Sequence, residues 1–492
     1  MMSLAKRYGI GLAMLLGVAA GGMAQPAPAA PRPAAVEPWT KIPIPPLHAF
    51  KPVQPRRIEL ANGLVIFLQE DRELPFIDGF VLIRGGGRDE PAAKVGLVSL
   101  YGQAWRTSGT AKESGDVLDS QLAAKAASIE TGGGVGNTSL HWSSLKGDFD
   151  GVFASAMDLL LHPDFKAEKL ALGKRGAGAR IARRNDNATA IAGREATMLV
   201  YGKTSPYARH SEYATIDAIA LDDLKAWHDR TVVANNIIVA VSGDFDGAAM
   251  EQKLRAAFEG MPRGTEVRTA KLEYPGPTPG VYFVDKTDVN QSNVYIVGLG
   301  TEQKNPDLYA LSVMNTIFSG GFSSRVVQNV RTKLGLAYSV GGSFGASYDH
   351  PGMFLTGVGT KSVSTVSATR AVLAEIEGLK TSPPTPVELH SAKDQVLNSF
   401  IFNYDSREKT LNEQVVLAFY GYPPDFLEKY RAGIEAVTAA DVTRVANKYI
   451  DVSKLAIVVV GNKAEIKPDL SALGTVTVLD IAIPPRAVPV KK

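Results

Sequence analysis

The chain has 492 residues, 45% of them hydrophobic and 21% charged, a globular composition with ample material for a core and too apolar for a disordered chain. Its 53 basic and 50 acidic residues leave a formal charge of +3, no footprint for nucleic acid or for a strongly acidic substrate. Cysteine is absent, which excludes thiol nucleophiles, disulfides, iron–sulfur clusters and Cys-based zinc sites.

Lys6 and Arg7, the apolar stretch from Ile10 to Ala20 and small residues before Gln25 predict a signal peptide over residues 1–24, cleaved after Ala24, and hence periplasmic export. The alternative is an uncleaved N-terminal anchor. Residues 25–50 follow as a Pro/Ala-rich leader. From residue 51 to 260 the pattern is that of a folded domain. Arg57–Leu60 and Leu64–Leu68 flank Asn62-Gly63, a type I′ hairpin signal. Phe76–Ile83 alternates as a strand, and Lys94–Thr107 has helical spacing. The polar, Pro/Gly-rich stretch 261–279 predicts a linker. A second domain over 280–480 opens with strands at Gly280–Asp285 and Val294–Leu299 and a helix at Pro306–Phe318; residues 481–492 form a tail.

The halves repeat one another. Ala214–Gly243 and residues 432–461 align without a gap at an offset of 218, pairing Ile216 with Ile434, Asp223 with Asp441 and Gly243 with Gly461. In each copy a helix start leads through helically spaced apolar residues to a β-rich run ending at Gly. The fold class is therefore α+β: two homologous domains in tandem, each a mostly antiparallel sheet covered by helices on one face.

Generic catalytic patterns are missing. There is no Walker loop, GxSxG or HExxH, and the seven histidines form no HxH, HxxH or HxxxH pair. The glycine run Thr131–Asn137 lacks the lysine of a phosphate loop and predicts a strand or turn. Ser143 and Lys146 make an SxxK without its KTG or SDN companions.

The stretch GGGRDEPAAKVGLVSLYGQAWRTSGT (85–110) resembles the opening of the pitrilysin/insulinase-type zinc peptidases, the family of mitochondrial processing peptidase. The similarity continues through Leu161-His162-Pro163-Asp164-Phe165 and Ser205-Pro206-Tyr207 to the Asp223–Gly243 unit. In the second half, GGFSSRVVQNVRTKLGLAYSV (320–340) is close to the family's SSRL…R…GLAYSV segment. The resemblance implies the processing-peptidase-like fold over about residues 55–465.

It also implies where zinc chemistry belongs, and the residues there are wrong for it. The family's HxxEH motif needs two His at i and i+4 with a Glu base before the second. Alignment puts Ser99 and Gln103 at the His positions and Gly102 at the Glu. The third ligand, a later Glu, falls near Arg180, with no carboxylate between Glu168 and Asp186. No zinc is expected in this chain. An atypical site using His141, His162 or His210 with carboxylates is the residual metal reading. Arg180, with Lys174, Arg175, Arg183 and Arg184, places positive charge where relatives hold a cation; it either compensates the vacancy or lies on a solvated helix.

The transition-state half of the family's site stands. Arg331 and Tyr338 in RTKLGLAY match a pair that in active relatives binds peptide backbone and stabilises the oxyanion. The competing account gives Arg331 a structural salt bridge and Tyr338 a place in the core. Gly136-Asn137 stands where the family's substrate strand has Asn-Ala, which weakens substrate binding on that side.

The resemblance thus implies a non-catalytic subunit of an exported heterodimeric zinc peptidase. Its partner would be a homologue with HxxEH and its own zinc, and the substrate a peptide or unfolded protein. The alternative is a non-enzymatic structural or peptide-binding protein of the same fold.

Overall fold

In a computed structural model, residues 52–486 are described. The predicted signal peptide, the Pro/Ala-rich leader and the last residues of the tail lie outside them. The first sheet comprises β1 (Arg56–Glu59), β2 (Val65–Glu70), β3 (Phe76–Arg84), β4 (Ser128–Gly133), β5 (Asn137–Leu145) and β6 (Ile237–Gly243). Its order is β1-β2-β6-β3-β5-β4. The helices of this half are α1 (Leu97–Ser108), α2 (Gly115–Ala124), α3 (Phe149–Leu161), α4 (Ala167–Ala182), α5 (Ala188–Tyr201), α6 (Tyr213–Asp217), α7 (Leu221–Thr231) and α8 (Gly247–Phe258).

The second half holds β7 (Gly280–Asp285), β8 (Gln291–Leu299), β9 (Thr301–Glu302), β10 (Ser339–Phe344), β11 (Ala346–Ser347), β12 (Met353–Lys361), β13 (Ala456–Gly461) and β14 (Val476–Val478). Its helices are α9 (Leu308–Ser319), α10 (Thr365–Thr381), α11 (Pro386–Ile401), α12 (Arg407–Tyr420), α13 (Phe426–Ala436) and α14 (Ala439–Tyr449). The six-stranded sheet runs β10-β12-β8-β13-β7-β14. Read backwards it repeats the first except at one edge: β7 and β13 are parallel like β2 and β6, and β13 and β8 antiparallel like β6 and β3, but β14 runs parallel to β7 where β1 runs antiparallel to β2. The 218-residue offset carries α7 onto α14 and the end of β6 onto the end of β13. In both copies an aspartate at the third helical position, Asp223 or Asp441, accepts from the backbone N–H of the residue before the helix, satisfying an orphan donor. The fold class read from the sequence is the one observed.

Strand alternation explains the two faces of each sheet. Ile237, Val239 and Val241 of β6 point into the main core of the first half, beneath α1, α3 and α7; Ile238 and Ala240 point the other way. That second face is covered by a helix from the other half. Leu411, Val415 and Phe419 of α12 pack on Phe67, Ile238 and Ala240. Reciprocally, Ile191, Ala192, Ala196 and Val200 of α5 pack on Val297, Val458 and Val460 of the second sheet. Each sheet keeps its own helical layer on one face and borrows one helix for the other.

One local expectation is corrected, and the described part of the tail has defined contacts. Asn62-Gly63 does form a hairpin, but not a two-residue type I′ turn. Leu60 and Leu64 still pair, leaving the loop Ala61-Asn62-Gly63, and Gly63 alone takes a positive φ (+85°). Asn62 is held otherwise, its amide donating to the carbonyls of Phe258 and Met261 at the end of α8. The tail is not free where it is described. Asn185 donates to the Ile481 carbonyl, and Arg486 pairs with Asp217. No helix among the described residues is long and apolar enough to cross a membrane.

Candidate functional site

The first candidate region is built on α1. Its start is set by Glu90, whose two carboxylate oxygens accept from the N–H groups of Gly96 (2.8 Å) and Val98 (2.9 Å). Gly96 has φ +106°, which favours glycine and delays the helix to Leu97, three residues after the predicted start. Burial pushes the Glu90 carboxyl up, against those N–H donors. The chain before Glu90 is gripped by Arg209, which donates to the carbonyls of Gly87 and Arg88 and also to that of Glu90. Along α1, Tyr101 Oη lies 2.9 Å from His228 Nδ1, and Trp105 donates to the Leu159 carbonyl. Burial pushes His228 down to about 4, so this imidazole is a neutral core group.

Ser99 and Gln103 share the exposed face of α1, as their spacing predicts. Gly102 is buried, and its surroundings were not readable from the sequence. A Cβ at Gly102 would sit 2.4 Å from the Gly133 nitrogen and 2.5 Å from the Gly132 carbonyl carbon in β4. A Cβ at Gly133 would in turn meet the Val98 carbonyl oxygen at 2.2 Å. Helix and strand approach so closely that only glycine fits, and Thr131 adds a hydrogen bond to the Gly102 carbonyl. The place of the family's general base is filled by backbone.

Arg180 does not join this group. It is exposed on α4, its guanidinium 3.6 Å from where a Cβ would stand at Gly176 on the same helix. The α4 residue against Gln103 is Gly173, whose Cβ would stand 3.2 Å from Gln103 Oε1. Of the neighbouring cations, Lys174 donates to the Asp217 carbonyl and Arg184 pairs with Glu212.

The other histidines are dispersed. His141 on β5 stacks on Phe80, and burial lowers it. Exposed His162 lies 3.3 Å from Asp158, and His210 lies 3.2 Å from Glu212. Among the described residues no three His, Asp or Glu side chains stand together as a metal site. The residues at Ser99, Gly102, Gln103 and Arg180 do not fit zinc.

The second region follows α9. The segment Val327–Lys333 is a π-helix, a wide turn found often at functional sites. It is fixed from behind: Asn329 donates to Glu375, and the Leu336 N–H reaches back to the Val330 carbonyl. Arg325 of the SSR motif makes two bonds to Glu388 and one to the Ser382 carbonyl, tying the loop to the start of α11. On this support Arg331 is exposed, its guanidinium 5.3 Å from the ring centre of Phe322. Tyr338 is anchored through its N–H to the Gly359 carbonyl, while its side chain is 78% exposed. Neither residue has the structural role that the competing account gives it: Arg331 makes no ion pair among the described residues, and Tyr338 is outside the core. Phe322 (74%) and Leu334 (58%) are exposed beside them in sequence. The Gly136-Asn137 turn is packed instead, with Arg88 and Tyr420 within 3.3 Å of a Cβ at Gly136.

With this geometry in view, the comparisons are specific. The family profile described as "Peptidase M16 inactive domain" matches residues 218–396. A Helicobacter pylori protein named as a non-peptidase homolog, YmxG, is 24% identical over 84% of this chain and 95% of its own length. A Rickettsia felis protein named as an uncharacterized zinc protease is 27% identical over 48% of this chain and 56% of its own length. The crystal structure of a peptidase M16 inactive domain from Pseudomonas fluorescens superposes with a TM-score of 0.76, at 24% identity, over 85% of this chain and all of that one. The profile over residues 218–396, the similarity to a non-peptidase homolog over most of both chains and the shared fold fit an inactive member of the pitrilysin/insulinase-type (M16) peptidase family.

Proposed function

We propose that the protein is the non-catalytic subunit of an exported heterodimeric zinc peptidase. In this reading a homologous partner carries HxxEH and the zinc, and this chain completes the peptide-binding chamber. Arg331 and Tyr338 would donate hydrogen bonds to the peptide carbonyl under attack, where negative charge develops. The observation that carries the reading is the contrast between the two regions. The general-base position is closed by backbone at Gly102 and the ligand positions hold Ser99, Gln103 and Arg180, while Arg331 on its braced turn and Tyr338 just beyond it stand exposed, outside any ion pair or core among the described residues. The pattern of residues 1–24 supports export to the periplasm.

The test is a tagged pull-down from the native envelope, followed by reconstitution. A stoichiometric homologue with intact HxxEH is expected. In the complex, Arg331→Ala and Tyr338→Phe should lower kcat by about a hundredfold, as loss of an oxyanion donor does, while assembly is unchanged. Recovery of the chain alone, or with unrelated proteins, would favour the non-enzymatic structural or peptide-binding reading.

A further inference from the structure

Away from both regions, a cavity of about 390 Å³ opens between α9, the end of α11, α12, α13 and the β10–β11 corner. Aromatic rings of Tyr348, Phe400, Phe426 and Tyr430 line it. Phe400 and Tyr430 stack with centroids 4.6 Å apart, and Tyr348 is held by stacking on Tyr420 at 4.7 Å. These rings are braced from behind and do not depend on a ligand for their positions.

One charged side chain lines the cavity, Glu413 of α12, and no lysine or arginine does. Glu413 is half-buried, and among the described residues neither a hydrogen bond nor an ion pair reaches it; burial alone acts on its carboxyl and raises it. The contrast with Asn315 on the same wall is plain, since its amide both donates to the Phe344 carbonyl and accepts from the Phe344 N–H. A carboxylate withdrawn from water without a partner is costly, and a cation entering the cavity would remove that cost. Aromatic faces attract the same kind of ligand through their negative quadrupole. An anion would meet Glu413 unfavourably, and an uncharged apolar group would leave it unpaired.

We propose that this cavity binds a cationic side chain, the ammonium of a lysine or the guanidinium of an arginine in a peptide, with Glu413 as its counter-charge and the four rings as its walls. The volume is at the lower end of ordinary ligand sites and suits one long side chain. The proposal does not rest on the partner-subunit reading, because it concerns this chain alone.

Calorimetric titration of the full chain tests it, with Nα-acetyl-lysine and Nα-acetyl-arginine methylamides against the uncharged isostere Nα-acetyl-norleucine methylamide. At least one cation should bind about tenfold or more tightly than norleucine, and Glu413→Gln should weaken it about tenfold with the melting temperature unchanged or raised. Butylamine and an alanine peptide with a single lysine run beside them. Tighter binding of the peptide supports the peptide side chain, and equal binding overturns that source. In the unmutated protein, the arginine amide should also protect Glu413 from carbodiimide labelling. Norleucine binding as well as lysine, no binding of either cation up to about 10 mM, or unprotected Glu413 would overturn the proposal.

Discussion

Gly102 decides what the first-half region can become. Ala is the better helix former by about 1 kcal/mol, yet its methyl would press on β4 backbone, and overpacking of this kind costs about 1–3 kcal/mol or more. Gly102→Ala should therefore lower stability in urea, and Gly102→Glu more so, whereas Ser99→His and Gln103→His on the exposed face should change it by less than about 0.5 kcal/mol. Rebuilding HxxEH in this chain would then fail at the glutamate rather than at the histidines. Two other residues set the acid limit of the fold. Burial works against charging Asp307, but hydrogen bonds from Lys448, Arg444 and Tyr449 outweigh it and hold its carboxyl at about 2. Hydrogen bonds from Arg325 likewise hold Glu388 at about 2, against its burial. A depressed folded-state value gives stability that is present above the ordinary carboxyl range and lost as pH falls toward 2. Asp307→Asn should remove roughly 2 kcal/mol at pH 7 and flatten the decline between about pH 4 and 2, which denaturation at a series of pH values would read.

At the scale of elements, the exchange of α5 and α12 buries apolar side chains of each half against the sheet of the other. Phe419 is 2% exposed, and truncating a buried Phe costs about 3–5 kcal/mol, so Phe419→Ala should lower the unfolding midpoint sharply although the residue belongs to one half and its sheet partners to the other. A change of a few tenths of a kcal/mol in urea would mean that α12 is not a structural part of the first sheet. Much of the local structure was legible: Gly280–Asp285 is a strand over the predicted residues, and the 218-residue offset registers α7 on α14. The β-rich runs ending at Gly243 and Gly461 are strands as read, and both prove buried along their whole length. Which helix covers the second face was not legible, because that depends on contacts between residues far apart in the chain, such as Phe67 with Phe419 and Val200 with Val297. The vacancies at Ser99, Gln103 and Arg180 could be read from side-chain chemistry alone. The closure at Gly102 depends on how near β4 comes to α1, and the exposure of Tyr338 on the π-helical turn that carries Arg331. Neither distance is written in a motif.

Over the whole molecule, the exchanged helices are joined by a polar and aromatic clamp between the halves. Arg88 pairs with Asp349, Tyr207 stacks on His350 at 3.6 Å between centroids, and the Tyr201 hydroxyl donates to the Pro351 carbonyl. The connecting segment is part of it, because Tyr274 packs edge-on against Tyr201 and Thr269 donates to Asp89. Burial and the nearby Arg88 charge push His350 down to about 4, so above that pH it stays neutral against Tyr207. A segment spanning residues 51–260 alone would expose Phe67, Ile238 and Ala240 and the apolar face of α5 together, a surface that drives association. The two halves expressed separately should therefore aggregate alone, and co-expressed they should purify as a one-to-one complex. Calorimetry of the intact chain should give one cooperative transition, since each half supplies a helix to the core of the other. Two resolved transitions, with a soluble monomeric first half, would show that the exchange adds contact without coupling. The halves would then be free to hinge, and the braced placement of Arg331 and Tyr338 would no longer be fixed relative to the first sheet.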